Sequence, residues 1–341
     1  MRRRSTAAAA AAAFLGTTLA LAACGGSNGG DNGGGATPDA GTTQGAEGEG
    51  SLTDVQVGAT TTVQAATAHL GVSEGFFEDE GLDVEVSVIQ AAASAIPSLL
   101  NGELHYTLLT SVPLVTAISN GMPIAMALGN DLYETEEGLD DLGIVVRQDS
   151  GIASAADLNG KSIAIVALRS APELATRVAL DEAGGDSSTV TFVEIPYPEM
   201  AGAIAQGRVD AGLLAPPFFG PAVNESDELA SIMHPFPVAF PGGVGGTWAA
   251  SRDFLENNAD TAEAFARAMG KAAEFANQNP DATREAIASY SPIDPEALAT
   301  VPLTSYSIEL PEDDVTRMID AMVTYGFIEE PVDVADVIWP R

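Results

Sequence analysis

A chain of 341 residues with 46% hydrophobic side chains carries enough apolar mass for two core-bearing domains, which excludes wholesale disorder. Fourteen basic against 48 acidic groups leave a formal charge of -34, and only two of the cations are lysines, Lys161 and Lys271; phosphate contacts need clustered cations, so nucleic acid is excluded as a partner. One cysteine leaves no intramolecular disulfide.

Arg2, Arg3 and Arg4 open the chain, an alanine-rich apolar run fills residues 7–23, and Leu21-Ala22-Ala23-Cys24 sets small residues before the lone thiol. That pattern predicts a lipoprotein signal peptide over residues 1–23, cleaved so that Cys24 becomes a lipid-bearing N-terminus on the outer face of the cell membrane. Residues 24–50 turn to Gly, Asn, Asp, Thr and Glu with no large apolar side chain. They predict a disordered linker with a span of about 25 to 30 Å.

In residues 54–90, Val55 and Val57 alternate with polar neighbours as a strand does, and Gly58 to Thr62 supplies a hydroxyl-rich turn. A helix follows, with Thr62 placed to cap it and Gly75 to end it in the left-handed conformation. Phe76 and Phe77 enter a core, and residues 82–89 alternate Leu82, Val84, Val86 and Val88 with polar residues as a second strand.

The run G-F-F-E-D-E-G-L-D-V-E-V, followed by L-L-N-G-E-L-H-Y, resembles the solute-binding proteins of ABC importers for nitrate, sulfonates and taurine, over about residues 53 to 340. That family is related to thiamine-pyrimidine synthesis proteins. The resemblance implies an α/β, two-lobed periplasmic-binding-protein type II fold, each lobe a mostly parallel sheet flanked by helices, with a hinge between them.

Beyond this point strand and helix keep alternating: a helix at 94–101 with Pro97 in its first turn, a strand at 104–109, a helix opened by Ser111 and Pro113, and a strand at 124–128. A second copy follows Ile144, with strands at 163–167, 190–195 and 209–214, and helices after Ser170 and around 200–206. Ser170 and Glu173 have the spacing of a capping box. Asn101-Gly102-Glu103-Leu104 and Leu108-Leu109 echo Gln206-Gly207-Arg208-Val209 and Leu213-Leu214 at an offset of 105. After Pro235 a Gly-rich stretch at 241–246 leads to a tail with helical spacing throughout. The expected division is residues 51–145 plus 240–341 as lobe 1 and 146–239 as lobe 2, with crossings near 144–147 and 237–246.

Ligands of such sheets bind beyond the strands' carboxyl ends. Four loops are placed there, and they nominate Thr60, Thr61, Thr62, Gln64, Thr110, Ser111, Leu168, Arg169, Ser170, Pro217 and Phe218 as ligand-binding residues. Helix starts favour anions, and Arg169 is the only full positive charge among these loops. A small oxyanion such as a sulfonate, taurine or nitrate is the expected cargo. Ordinary helix capping by Thr62, Ser111 and Ser170, and a solvated ion pair for Arg169, are the plain alternatives. Tyr197, Phe218, Phe219 and Trp248 instead suit a flat heterocycle such as a thiamine-type pyrimidine. Pro216-Pro217-Phe218 stands where the family usually has Glu-Pro-Phe, and His105, where the family often has Asp, reads as structural. An enzyme of the thiamine-synthesis kind would call on Lys161, His69 and His105; export argues against it. His69, His105 and His234 are too scattered for a metal site, and no cofactor is expected. The expected partners are a small solute, an ABC permease with its ATPase, and the membrane through the lipid, with the chain itself a monomer.

Overall fold

The structure is a computed structural model that describes residues 52–89, 92–135, 142–225, 227–299 and 301–340. The expected signal peptide, Cys24 and the linker lie outside the described residues. Among the described residues no helix is long and apolar enough to cross a membrane.

The alternation in the first stretch becomes strand β1 (Thr53–Ala59), with Val55 and Val57 fully buried, then helix α1 (Ala66–Ser73) and β2 (Leu82–Val88). Gly75, at φ 76°, follows the end of α1. Helix α2 (Ile96–Leu100), β3 (Tyr106–Thr110), α3 (Ser111–Ser119), β4 (Ile124–Gly129) and the short β5 (Asp131–Leu132) complete the first run. The second run comprises β6 (Gly143–Arg147), β7 (Ser162–Ile165), α4 (Ala171–Glu182), β8 (Thr191–Glu194), α5 (Tyr197–Ala205), β9 (Ala211–Leu214), α6 (Phe219–Asn224), β10 (Leu229–Met233) and α7 (Pro235–Ala239). The chain then returns through β11 (Gly246–Ser251), α8 (Arg252–Asn257), α9 (Ala259–Gln278), α10 (Pro280–Tyr290), α11 (Pro295–Leu298), β12 (Ser305–Tyr306), α12 (Glu312–Thr324) and α13 (Val334–Val337).

Ten of the strands form two five-stranded sheets, β2-β1-β3-β11-β4 and β8-β7-β9-β6-β10, and β5 pairs with β12. In each sheet four strands run one way, while the strand in the fourth place, β11 or β6, runs antiparallel to both neighbours. The echo in the letters thus marks equivalent strands: β3 begins at Tyr106 and β9 at Ala211, the same offset of 105. Two expectations need correcting. The tail after Pro235 is not wholly helical, because Gly246–Ser251 is a central strand of the first sheet. All six of its residues are buried, so there was no polar alternation to read. Ile144 to Arg147 are not a crossing either: they sit inside β6, bonded to β9 and β10.

Helix α9 covers one face of the first sheet. Phe265 stacks on Tyr106 at 3.9 Å and on Phe77 at 5.3 Å, with Trp248 edge-on at 6.4 Å. A second core runs from Leu109, Leu114 and Ile124 through Ile144, Ile163 and Leu174 to Val315, Met318 and Met322 of α12. Helix α12 packs on α3 and on α4, one helix from each half, rather than on the first half alone.

Candidate functional site

At the carboxyl end of β1, the hydroxyls of Thr60 and Thr62 lie 3.3 Å apart, and Thr61 is half-buried between them. Thr62 stands at the N-cap of the turn Val63–Ala65 that leads into α1, but its side chain makes no capping bond; its carbonyl instead accepts the Tyr290 hydroxyl at 2.9 Å. At the end of β3 the N-cap of α3 is the exposed Thr110, again without a side-chain cap. Ser111 is the first residue inside that helix and 1% exposed; its Oγ lies 2.8 and 3.0 Å from the carbonyl oxygens of Val244 and Gly245. Its hydroxyl therefore ties α3 to the returning crossing.

Beneath these loops lies a polar network that sequence reasoning missed. Trp248 Nε1, which can only donate, and Thr67 Oγ1 both donate to Asn130 Oδ1, at 2.9 and 2.8 Å. This fixes the amide so that Nδ2 donates to the Gln64 carbonyl and to Asp131 Oδ1, each at 3.0 Å. The Asp131 carboxylate also accepts Gly246 N–H at 3.0 Å and Gln64 Nε2 at 2.9 Å. Asp131 is 4% exposed, and burial pushes its pKa above the usual carboxylate range against the pull of these hydrogen bonds. A Cβ on Gly245 or Gly246 would come within 2.6 or 2.5 Å of its oxygens, so only glycine fits there. The available signal is the pair Gly245-Gly246 in the Gly-rich stretch, which serves close approach.

In the second half Leu168 is exposed, and its N–H donates to Glu194 Oε2 at 3.2 Å. Arg169 turns the chain at φ 55°, a region side-chain-bearing residues seldom occupy, and its N–H donates to Glu173 Oε2 at 2.7 Å. Ser170 donates to the Ala167 carbonyl at 2.6 Å and does not cap α4. The capping box is thus displaced by one residue: Glu173 reaches the N–H of Arg169, not that of Ser170, because the left-handed turn presents that N–H first. The Arg169 guanidinium donates to the carbonyls of Gly326 and Phe327 and lies 5.3 Å from the Phe327 ring centroid. It is neither a solvated ion pair nor, in this arrangement, aimed with its terminal nitrogens at the strand-end loops of the first half.

Pro217 follows a cis peptide bond, and Phe218 stacks with Tyr197 at 6.1 Å. Burial pushes the Tyr197 phenol up to about 12. Burial raises the phenol of Tyr133, from the first half, with Asp131 and then Tyr197 adding to the upward shift. Tyr133 also packs on Phe236 at 4.3 Å. Phe219, 6% exposed, and Trp248, fully buried, pack in the cores. The residues an enzyme would need are apart and occupied. Lys161 Nζ faces Asp210 at 3.9 Å, His69 stacks on Tyr290 at 3.9 Å, and His105 Nδ1 accepts Gln56 N–H at 2.8 Å. Among the described residues no group of three or more His, Cys, Asp or Glu could hold a metal ion.

Residues 63–283, well over half of the chain, match the family model described as NMT1/THI5 like. The chain belongs to that family. An aliphatic sulfonates-binding protein of Bacillus subtilis (strain 168) is 22% identical over 280 residues, 79% of this chain and 80% of that protein. The taurine-binding periplasmic protein of Escherichia coli (strain K12) is 26% identical over 208 residues, 60% of this chain and 61% of that one. Among solved structures, the periplasmic aliphatic sulphonate-binding protein SsuA of Escherichia coli superposes with TM-score 0.69 at 16% identity, covering 85% of this chain and 98% of that one. The periplasmic nitrate-binding protein NrtA of Synechocystis PCC 6803 gives 0.64 at 13%, covering 83% and 84%. These likenesses show the periplasmic-binding-protein type II fold for this NMT1/THI5-like chain, and the relatives named here are sulfonate-, taurine- and nitrate-binding proteins.

Proposed function

We propose that this NMT1/THI5-like protein is the extracytoplasmic, lipid-anchored receptor of an ABC importer. It captures a small oxyanion such as a sulfonate, taurine or nitrate between its two halves and delivers it to a permease. The observation that carries the cargo class is the set of uncapped helix starts: Thr62, Thr110 and Ser170 occupy N-cap positions after β1, β3 and β7, and none of their side chains caps. Pro113 and Pro172 carry no N–H in these first turns and the Ala65 N–H donates to the Thr62 carbonyl, but the N–H groups of Gln64, Val112 and Glu173 stand where such a cap would reach and favour an anion. The Thr110 hydroxyl, and one of the Thr60 and Thr62 pair, add donors of their own. The names of the sulfonate- and taurine-binding relatives point the same way.

The halves that carry the two sheets act as the closing lobes, with all of β6 in the second, the solute gaining contacts that only the closed form makes. A micromolar affinity, about -8 kcal/mol, is enough for capture. A second reading, a flat heterocycle, is favoured by the stacked pair of Tyr197 and Phe218.

Thermal unfolding against a panel of taurine, alkanesulfonates, nitrate, aminopyrimidines and riboflavin separates these. A ligand at 100 times its dissociation constant stabilises by about 2.7 kcal/mol, a shift of several degrees. A shift with sulfonates or nitrate alone upholds the anion reading. A shift confined to the heterocycles replaces it, and no shift with any solute removes the receptor reading.

A further inference from the structure

Tyr106 opens β3 and is 1% exposed, yet its hydroxyl has no hydrogen-bond partner among the described residues. A buried phenol usually finds one, so an orphaned O–H in a core calls for a cause. Packing holds the group in place. The ring stacks on Phe265 at 3.9 Å and meets Phe254 edge-on at 5.5 Å. The hydroxyl lies on the axis about which the ring turns, so no rotation of the ring carries it to another partner.

Tyr106 borders a cavity of about 430 Å³ between the first sheet and helices α8 and α9, with Trp339 of the carboxyl-terminal segment on its wall. Small-molecule sites usually measure about 300 to 1,000 Å³. The space exists because its neighbours are small: Ala259, Ala262 and Ala266 line it from one face of α9, and Ala127 lines it from β4. Trp339 is pinned there by its backbone N–H, which donates to the Met126 carbonyl at 2.9 Å, and its partly buried indole supplies a flat apolar surface. The two charged side chains on the border are already matched: Arg267 donates to Glu80 at 2.7 Å and lies 3.9 Å from Glu263. Neither asks for charge on a ligand. The Tyr106 hydroxyl is the only one among the described residues that border this space. It is also remote from the strand-end loops, since Thr110 closes the same strand about 13 Å further along.

We propose that this cavity is a second binding site, for a small neutral molecule with an apolar ring and one carbonyl, whose oxygen accepts the Tyr106 hydroxyl. A phenol donates more readily than it accepts, because its ring draws on the oxygen's lone pairs, and a carbonyl is the neutral acceptor that matches it. The site goes beyond the solute receptor and stands whichever cargo that receptor takes.

The test is a calorimetric titration of the full chain with two probes: acetophenone, and 2-phenylpropene, in which a CH2 group replaces the carbonyl oxygen at nearly the same shape. The wild type is expected to bind acetophenone at one saturable site. Tyr106→Phe is expected to weaken acetophenone about three- to tenfold, the worth of one neutral hydrogen bond, and to leave 2-phenylpropene within about twofold. Its midpoint in urea is expected to hold or rise, because the change removes a buried hydroxyl that nothing pairs. Ala262→Leu, which fills the cavity from α9, is expected to abolish binding of both probes. The proposal is overturned if acetophenone does not bind the wild type, or binds either variant as tightly. A falling urea midpoint in Tyr106→Phe overturns it too, since the hydroxyl then has its partner within the fold.

Discussion

His105 shows how a residue that looks chemical in a sequence is settled by its neighbours. Its Nδ1 accepts the Gln56 N–H across the β1–β3 pair, and its ring tilts against Phe254 at 4.8 Å. Burial lowers its pKa from 6.5, with the charge of Asp54 working in the opposite direction. The unfolded chain then takes up a proton before the folded one does, so the stability this residue contributes is present above that value and is lost as pH falls. His105→Ala is expected to cost about 1 to 3 kcal/mol at pH 8, the price of an abandoned backbone N–H. The gap from wild type should shrink by pH 5 in urea unfolding, and a gap that widens instead refutes the assignment. Gly246→Ala is the complementary case: its new methyl group meets Asp131 Oδ1 at 2.5 Å, and a loss of about 1 to 3 kcal/mol is expected by the same measurement. Neither Asp131 nor Asn130 stood out in the sequence. Their importance arises from burial and from partners 60 or more positions away in the chain, such as Thr67 and Gly246, which letter patterns do not disclose.

Among the elements, those with strict periodicity were legible and those without it were not. The alternation from Leu82 to Val88 reads directly as β2, and the apolar stripe Phe265, Met269 and Ala272 as α9. β11 escaped because a strand buried on both faces has no polar face to alternate with. The four loops at strand ends were found from the strand and helix pattern, but the direction of each side chain was not. Thr62 and Ser170 occupy N-caps without capping, and Arg169 reaches across to the end of α12. That reach makes Arg169 a strut between elements. Arg169→Ala is expected to lower the unfolding midpoint, through loss of charged hydrogen bonds each worth about 1.5 to 3 kcal/mol, while leaving the affinity for an anionic solute within about threefold. A larger loss of affinity without loss of stability returns it to the ligand. Between α9 and the turn before β2, Glu80 accepts Lys271 Nζ at 2.6 Å and Arg267 Nε at 2.7 Å, and these bonds hold its carboxyl below the usual glutamate value. Their contribution is present above that value and lost as pH falls through the lowered one. Both cations are about half exposed, so Glu80→Gln is expected to cost no more than about 1 kcal/mol in dilute buffer, and less in molar salt.

The molecule as a whole carries -34 charges, and self-repulsion of that size opposes the compact state until ions screen it. Unfolding free energy is expected to rise from low to molar sodium chloride; a flat or falling dependence refutes self-repulsion as a limit on its stability. One further consequence lies in the order of manufacture. The strands β6 to β10 of the second sheet are consecutive, whereas the first sheet needs β11 to be inserted between β3 and β4. A chain emerging from its amino end has made β3 and β4 long before the piece that joins them exists, so the inserted half is able to consolidate while its host waits open. Pulse-labelled hydrogen exchange during refolding should find amides of β6, β7 and β9 protected ahead of those of β3 and β4, because contacts between distant positions close last.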